Sequence, residues 1–184
     1  MSEQLSFPGL LAEPPVLPEP QALLPALIHY PHVPSAVRCG HAKAIGKAGE
    51  RLVDSLLLRW GFRSIEADES EAFDRFLPHQ EALLRLQIKT VTQAHQGCFS
   101  FAMQQGYGPS PQGRRDYAED AFDLAALVIL PANAVAFTAR KLPVHRVSAA
   151  VIPRLQERPQ ETLIAALSLL ETMAGRPALT GLAL

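Results

Sequence analysis

Gln87 and Lys89 are the side chains in this sequence whose types and spacing most clearly suggest chemistry. They stand two residues apart in the run Leu86–Thr90, and a β-strand would project both from one face. Asp74 lies thirteen residues upstream, which leaves enough chain for a hairpin that brings its carboxylate beside Gln87. Glu50 adds a second carboxylate from an earlier helical stretch. One strand end would therefore gather a carboxylate, an amide oxygen and a lysine, a set suited to metal-assisted cleavage of a phosphodiester.

That reaction has three requirements, which are charge neutralisation on the phosphate, activation of a water and stabilisation of the leaving oxygen. A hard divalent cation meets all three, and Mg²⁺ prefers oxygen ligands while retaining several waters. We predict a site for Mg²⁺ (or Mn²⁺) formed by Asp74, the Gln87 amide oxygen and the Ile88 backbone carbonyl. Glu50 would support the cation through water. Lys89 would orient the nucleophile or stabilise the charged phosphorus centre as a point charge.

Basic residues are concentrated in the segment from Arg38 to Arg63, which holds six of them against two acidic residues. The net charge of −1 over 184 residues does not by itself indicate nucleic-acid binding. A local excess of this kind is also typical of a solvated surface. The nucleic-acid contacts that we predict are Lys43, Lys47, Arg51, Thr90, Arg114 and Arg115.

The order of the predicted elements indicates one α/β domain. Apolar residues recur every three or four positions from about 42 to 60, and Gly61 is a suitable helix stop. The near-continuous apolar run 124–130 is typical of a strand buried on both faces. Further predictions are strands over 62–67, 73–77, 83–91, 98–103 and 134–138, a loop over 104–113 and a helix over 159–173. This order predicts a mixed central β-sheet flanked by helices.

Three regions are predicted along the chain. Residues 1–40 form a Pro-rich N-terminal arm, since eight of the sixteen prolines fall between Pro8 and Pro34. Residues 41–142 form the core and residues 143–184 a C-terminal helical extension. Two cysteines fit a reducing cytoplasm, and neither a secretory signal nor a transmembrane segment is expected.

Between about Ala42 and Arg140 the chain resembles the PD-(D/E)XK nuclease superfamily, whose core is restriction-endonuclease-like. Asp74 followed by Gln87-Ile88-Lys89-Thr90 corresponds to its acidic residue, hairpin and third motif, in the Gln-x-Lys variant. That variant is typical of the branch with group I intron homing endonucleases and Holliday-junction resolvases. The resemblance also extends to Gly46–Val53, Cys98–Phe101, Arg114–Tyr117 and Phe122–Leu124.

The resemblance implies a metal-dependent endonuclease that acts on double-stranded or branched DNA, in which Glu50 contributes to the metal site. It also implies a homodimer or higher homo-oligomer, because cleavage of two strands needs two active sites. Two alternatives remain open. Because Gln87 replaces an acid, the fold could instead serve as an inactive DNA-binding or assembly module. Alternatively, this is an unrelated α/β interaction domain in which Gln87 and Lys89 are surface residues.

Overall fold

The computed structural model of the protein describes residues 25–106 and 113–173. Most of the predicted Pro-rich arm, residues 1–24, lies outside the described residues. Within the described ranges, no helix combines the length and apolar character needed to cross a membrane.

The centre of the fold is a five-stranded mixed sheet with strand order β1-β2-β3-β7-β8. Strands β1, β2 and β3 form an antiparallel meander, β7 joins β3 in parallel, and β8 returns antiparallel to β7. The bounds are Ile65–Glu66 (β1), Arg75–His79 (β2), Ala82–Val91 (β3), Leu124–Ile129 (β7) and Ala134–Thr138 (β8). The predicted mixed central sheet is confirmed.

In the part of the chain that the structure describes, two small sheets and four helices complete the fold. Strands β4 (Cys98–Ala102) and β9 (Val144–Ser148) pair antiparallel, as do the two-residue strands β5 (Gln104–Gln105) and β6 (Arg115–Asp116). The helices are α1 (Ser35–Gly40), α2 (Ala42–Arg59), α3 (Ile152–Glu157) and α4 (Gln160–Met173), and short 3₁₀ turns span Leu130–Ala132 and Ala149–Val151.

Strand β7 separates two hydrophobic cores, because all six of its residues are buried. Leu124, Ala126 and Val128 point into the core formed with α2 and α4, whereas Ala125, Leu127 and Ile129 point into the core that includes Phe99 and Phe101 of β4. This alternation divides the molecule into a helix face, covered by α2 and α4, and an opposite face.

The end of α2 follows its sequence signal. Gly61 adopts a left-handed φ of +82°, and the Phe62 N–H donates to the Leu57 carbonyl at 2.9 Å, which closes the helix. Because α2 packs against both β3 and β7, the apolar stripe of this helix fixes its position over the residues of the predicted site.

Several short elements were not anticipated from the sequence. Residues 104–113 were expected to be a loop, but they begin with β5. Strand β9 was missed because its inward-facing residues are His145 and Val147, so the usual apolar alternation is broken by a buried histidine. The six-residue helices α1 and α3 are too short for a periodic pattern to stand out.

Candidate active site

Asp74 and Gln87 meet where the chain enters β2 beside β3. The Asp74 N–H donates to the Leu86 carbonyl at 3.0 Å, which holds the residue against β3. Its Oδ2 accepts hydrogen bonds from Gln87 Nε2 at 2.6 Å and from the Ile88 N–H at 2.7 Å. Gln87 Nε2 also donates to the Ile88 carbonyl at 3.1 Å. The amide nitrogen of Gln87 therefore lies between two of the oxygens predicted to hold a cation.

Burial raises the pKa of Asp74, the negative charge of Glu50 adds to the rise, and the Ile88 N–H and Lys89 oppose it. Within the described residues no donor contacts its second oxygen, Oδ1. Asp74 therefore has one oxygen fixed by the strand and another available to a ligand.

Lys89 projects from the same face of β3 as Gln87. Its Nζ donates to the Gln104 carbonyl at 2.7 Å and lies 4.9 Å from the centre of the Tyr117 ring. Burial lowers the pKa of Lys89, although the charge of Asp74 opposes that shift. The lysine is thus held close to Asp74 but makes no direct ion pair with it.

The paired strands β5 and β6 position Lys89 and were not recognised in the sequence. Gln104 Nε2 donates to Asp116 Oδ1 at 3.0 Å and ties the two strands together. The Tyr117 ring contacts Phe122 edge-to-face, with centroids 5.3 Å apart. Burial, together with the charge of Asp74, raises the pKa of Tyr117 above its ordinary value. The one signal in the sequence was the position of Tyr117 directly after Arg114-Arg115-Asp116.

Glu50 lies on the helix face, where it joins an ion-pair network centred on Arg75. The Arg75 side chain is 2% exposed, and its guanidinium lies 3.0 Å from Glu50 Oε2 and 2.9 and 3.0 Å from the two oxygens of Asp54. Lys47 Nζ also contacts Glu50, at 3.0 Å. Arg75 thus points away from the Asp74 side chain, as strand alternation predicts, and among the described residues no cation forms an ion pair with that carboxylate.

Two adjoining cavities surround the candidate site. Asp74, Gln87, Ile88, Lys89 and Tyr117 line a cavity of about 280 Å³. Asp74 also lines a larger cleft of about 560 Å³, which it shares with Lys43, Lys47, Glu50, Glu66 and Arg75. The site is therefore open to a large ligand on the side of α2.

The residues predicted to contact nucleic acid lie on more than one side of this site. Lys43 is fully exposed and faces Glu69 at 3.6 Å. Arg114 and Arg115 are exposed at β6, and neither forms an ion pair within the described part of the chain. Thr90 points to the helix face and lies against Gly49 of α2. A DNA contact by each of these residues stays a prediction.

Lys47 and Arg51, the other two predicted contacts, are engaged by carboxylates of the chain itself. Both contact Glu66 of β1, and Arg51 also lies 3.2 Å from Asp54. The structure therefore brings Asp74, Gln87, Ile88 and Lys89 together and places Glu50, Lys47 and Arg51 around the neighbouring Arg75 network.

The oxygen donors at the site fit a hard divalent cation. Among residues 25–106 and 113–173, no group of three His, Cys, Asp or Glu side chains is placed to hold a metal ion. The donors at Asp74 are instead one carboxylate, one amide and one carbonyl. Mg²⁺ is commonly bound through one or two carboxylates together with water and substrate phosphates, so the Asp74 carboxylate and the Ile88 carbonyl fit it, whereas Gln87 presents its amide nitrogen to both of these groups.

Comparison with known proteins adds a likeness to a solved structure. No protein-family model and no curated protein matches the chain. The solved structure of a bacterial homing endonuclease is similar over 65% of this chain and 96% of its own length, with a TM-score of 0.49 and 12% sequence identity.

Proposed function

We propose that this protein is a Mg²⁺- or Mn²⁺-dependent endonuclease that hydrolyses phosphodiester bonds in double-stranded or branched DNA. The observation that carries the proposal is that Asp74, Gln87, Ile88 and Lys89 line one cavity, in which the Gln87 amide is hydrogen-bonded to Asp74. An unrelated interaction domain with Gln87 and Lys89 on the surface does not account for this convergence.

Each residue has a distinct role in the proposal. Asp74 Oδ1, the Ile88 carbonyl and the Gln87 amide oxygen, once its amide turns over, would hold the cation. The cation would supply the Lewis acidity that the phosphodiester needs. Lys89, whose pKa is lowered by burial, would orient the attacking water or neutralise charge on the phosphorus centre. Tyr117 and the Gln104 carbonyl would hold the amine in position.

Glu50 would act on the site through its charge and through water, because Arg75 holds its carboxylate on the helix face. Lys43, Lys47, Arg51, Thr90, Arg114 and Arg115 are the proposed DNA contacts. A homodimer or higher homo-oligomer would supply one site for each DNA strand. The cytoplasmic location is inferred from two free cysteines, Cys39 and Cys98.

A specific observation also favours a second function, an inactive nuclease-like fold that binds DNA or assembles with a partner. The Gln87 amide donates to both Asp74 Oδ2 and the Ile88 carbonyl and so satisfies two oxygens without any cation. Calorimetric titration with Mn²⁺ separates the two functions. Heat that disappears in Asp74→Ala supports the endonuclease, whereas no heat in the wild type supports the binding module.

The decisive assay incubates the protein with supercoiled plasmid and with branched junction DNA in the presence of Mg²⁺ or Mn²⁺. Lys89→Ala is expected to abolish cleavage while it retains DNA binding. Lys141→Ala is the matched control, because the Lys141 amine also lies over an aromatic ring, 3.8 Å from the centre of Phe122, on a residue that is exposed. Cleavage that survives in Lys89→Ala would contradict the proposed site.

Gln87→Glu provides an independent test of the amide. The change replaces a donor 2.6 Å from Asp74 Oδ2 with a second carboxylate, so it should weaken the metal-free protein and tighten Mn²⁺ binding. Loss of a hydrogen bond to a charged group costs about 2 kcal/mol. That loss corresponds to roughly 4–8 °C in melting temperature for a chain of this length. An unchanged Mn²⁺ affinity would remove Gln87 from the metal site.

A further inference from the structure

Glu66, on the edge strand β1, is contacted by three cationic side chains. Lys47 Nζ donates to its Oε1, and Arg51 Nη2 lies 3.4 Å from its Oε2. Arg75 Nη1 lies 3.9 Å from Oε1. A hydrogen bond from Lys47 and the charges of Arg75 and Arg51 hold the pKa of Glu66 below its ordinary value. The Glu66 carboxylate is thus an anion bound by a cluster of three cationic side chains.

The charges in this network balance only when Glu66 is counted. The cations are Lys47, Arg51 and Arg75, and the carboxylates are Glu50, Asp54 and Glu66. Glu50 and Asp54 contact Arg75, which is buried at the centre of the network. Lys47 and Arg51 are about half exposed and keep their contacts with Glu50 and Asp54, so these two cations would share one uncompensated positive charge if Glu66 moved away.

The position and exposure of Glu66 allow that movement. Its side chain is 46% exposed, and it lines the same cleft as Asp74 and Lys47. Ion pairs at such exposed positions contribute little to stability because solvent screens them. A competing anion can therefore replace the carboxylate without disturbing the buried pairs of Arg75.

We infer that Glu66 occupies a phosphate-binding site formed by Lys47 and Arg51 beside the candidate active site, and that a phosphate of the DNA backbone displaces it. The inference rests on the proposed function for DNA as the ligand. The planar guanidinium of Arg51 and the point charge of Lys47 are both suited to phosphate. Glu66 would thereby restrain DNA binding until a duplex enters the cleft.

The test measures binding of a fluorescent DNA duplex in EDTA, where no cleavage interferes, across a salt series. Glu66→Gln is expected to bind about fivefold to tenfold more tightly at low salt, because two exposed cations each lose one carboxylate partner. Each additional phosphate contact should steepen the salt dependence by about one unit in log–log slope. Adding Lys47→Gln to Glu66→Gln should remove most of the gain.

Glu161→Gln is the matched control. Glu161 of α4 accepts hydrogen bonds from Arg154 at 2.9 Å and from Arg158 at 3.3 Å, so its loss also frees two exposed arginines and makes the same change in net charge. None of these three residues lines the cleft. An equal gain in both variants would overturn the inference, because net charge alone would then explain it.

A second arm separates this inference from the proposed function. If neither the wild type nor Glu66→Gln binds DNA, the DNA partner of the proposed function is wrong. Thermal melting with inorganic phosphate then tests the site alone, since a ligand of the folded state raises the melting temperature. A phosphate-dependent rise in Glu66→Gln that exceeds the rise in Glu161→Gln would retain the anion site. Equal rises in the two variants would overturn it.

Discussion

Replacement of Gly49 by alanine is expected to disrupt the contact between α2 and β3 that positions both sides of the candidate site. A Cβ at residue 49 would lie 2.0 Å from Thr90 Oγ1 and 3.0 Å from both Cβ and Cγ2 of Thr90. No side-chain rotation of alanine can relieve such a contact. Either the Thr90 side chain or the whole helix must shift, and Glu50 is the next residue of that helix.

The size of the effect follows from two opposing contributions. Alanine is favoured over glycine in a helix by about 1 kcal/mol, whereas overpacking of a closely fitted contact costs about 1–3 kcal/mol. Since the shortest contact is far inside van der Waals range, the upper value applies and the net loss is about 2 kcal/mol. Gly46 lies in the same helix with nothing within 4 Å of its would-be Cβ, so Gly46→Ala should gain about 1 kcal/mol.

Thermal denaturation of the two variants measures the difference. A gap of about 3 kcal/mol corresponds to roughly 6–12 °C for a chain of this length. In the Gly49→Ala background, Thr90→Ala should restore part of the loss because it removes the oxygen at 2.0 Å and leaves the Cβ contact at 3.0 Å. If Gly49→Ala melts as high as Gly46→Ala, or if Thr90→Ala restores nothing, the close approach of helix and strand is wrong.

Two further predictions concern buried charge. Asp74→Asn should raise the melting temperature of the metal-free protein at pH 7, because burial raises the pKa of Asp74 and its charged form therefore opposes folding. This destabilisation is absent below the pKa of an unfolded-state aspartate, near 3.9, and it develops as the pH rises from there through the raised pKa of the folded state. A pH series of melts in EDTA should therefore show that the higher melting temperature of the variant disappears in acid. Arg75→Met should cost about 3 kcal/mol in chemical denaturation, because it leaves Glu50 and Asp54 without their buried cation. Arg154→Met, which breaks a pair at a 77% exposed arginine, should cost at most about 1 kcal/mol, and similar losses in the two variants would contradict a buried network.

The sequence predicted those parts of the fold that depend on local pattern. The continuous apolar run of β7 and the apolar residues at every third or fourth position of α2 are patterns within one short segment. The structure places both elements close to their expected bounds. Strand β9 could not be found in this way, because a buried histidine breaks its apolar pattern and the strand pairs with β4, far away in sequence. A local sequence pattern does not predict a strand that forms by pairing with a segment distant in the sequence.

The same distinction holds within the candidate site. Asp74, Gln87 and Lys89 were predicted together, because strand alternation and the length of one hairpin are sufficient to bring them to one face. The partners of Arg75 lie 21 and 25 residues upstream on α2, so no spacing rule reveals that this arginine is buried among carboxylates. Tyr117 was missed as a partner of Lys89 because β5 and β6 are only two residues long.

The neutral amide at Gln87 is explained by the charges that surround it. Asp74 and Lys89 have opposite charges, and Arg75 compensates Glu50 on the other face of the sheet. An acid at position 87 would add an uncompensated negative charge beside a carboxylate whose pKa is already raised by burial. With an amide instead, the metal-free site is balanced but attracts a cation less strongly. The missing negative charge would then come from the DNA phosphate itself, so cation binding should be stronger in the presence of DNA than in its absence.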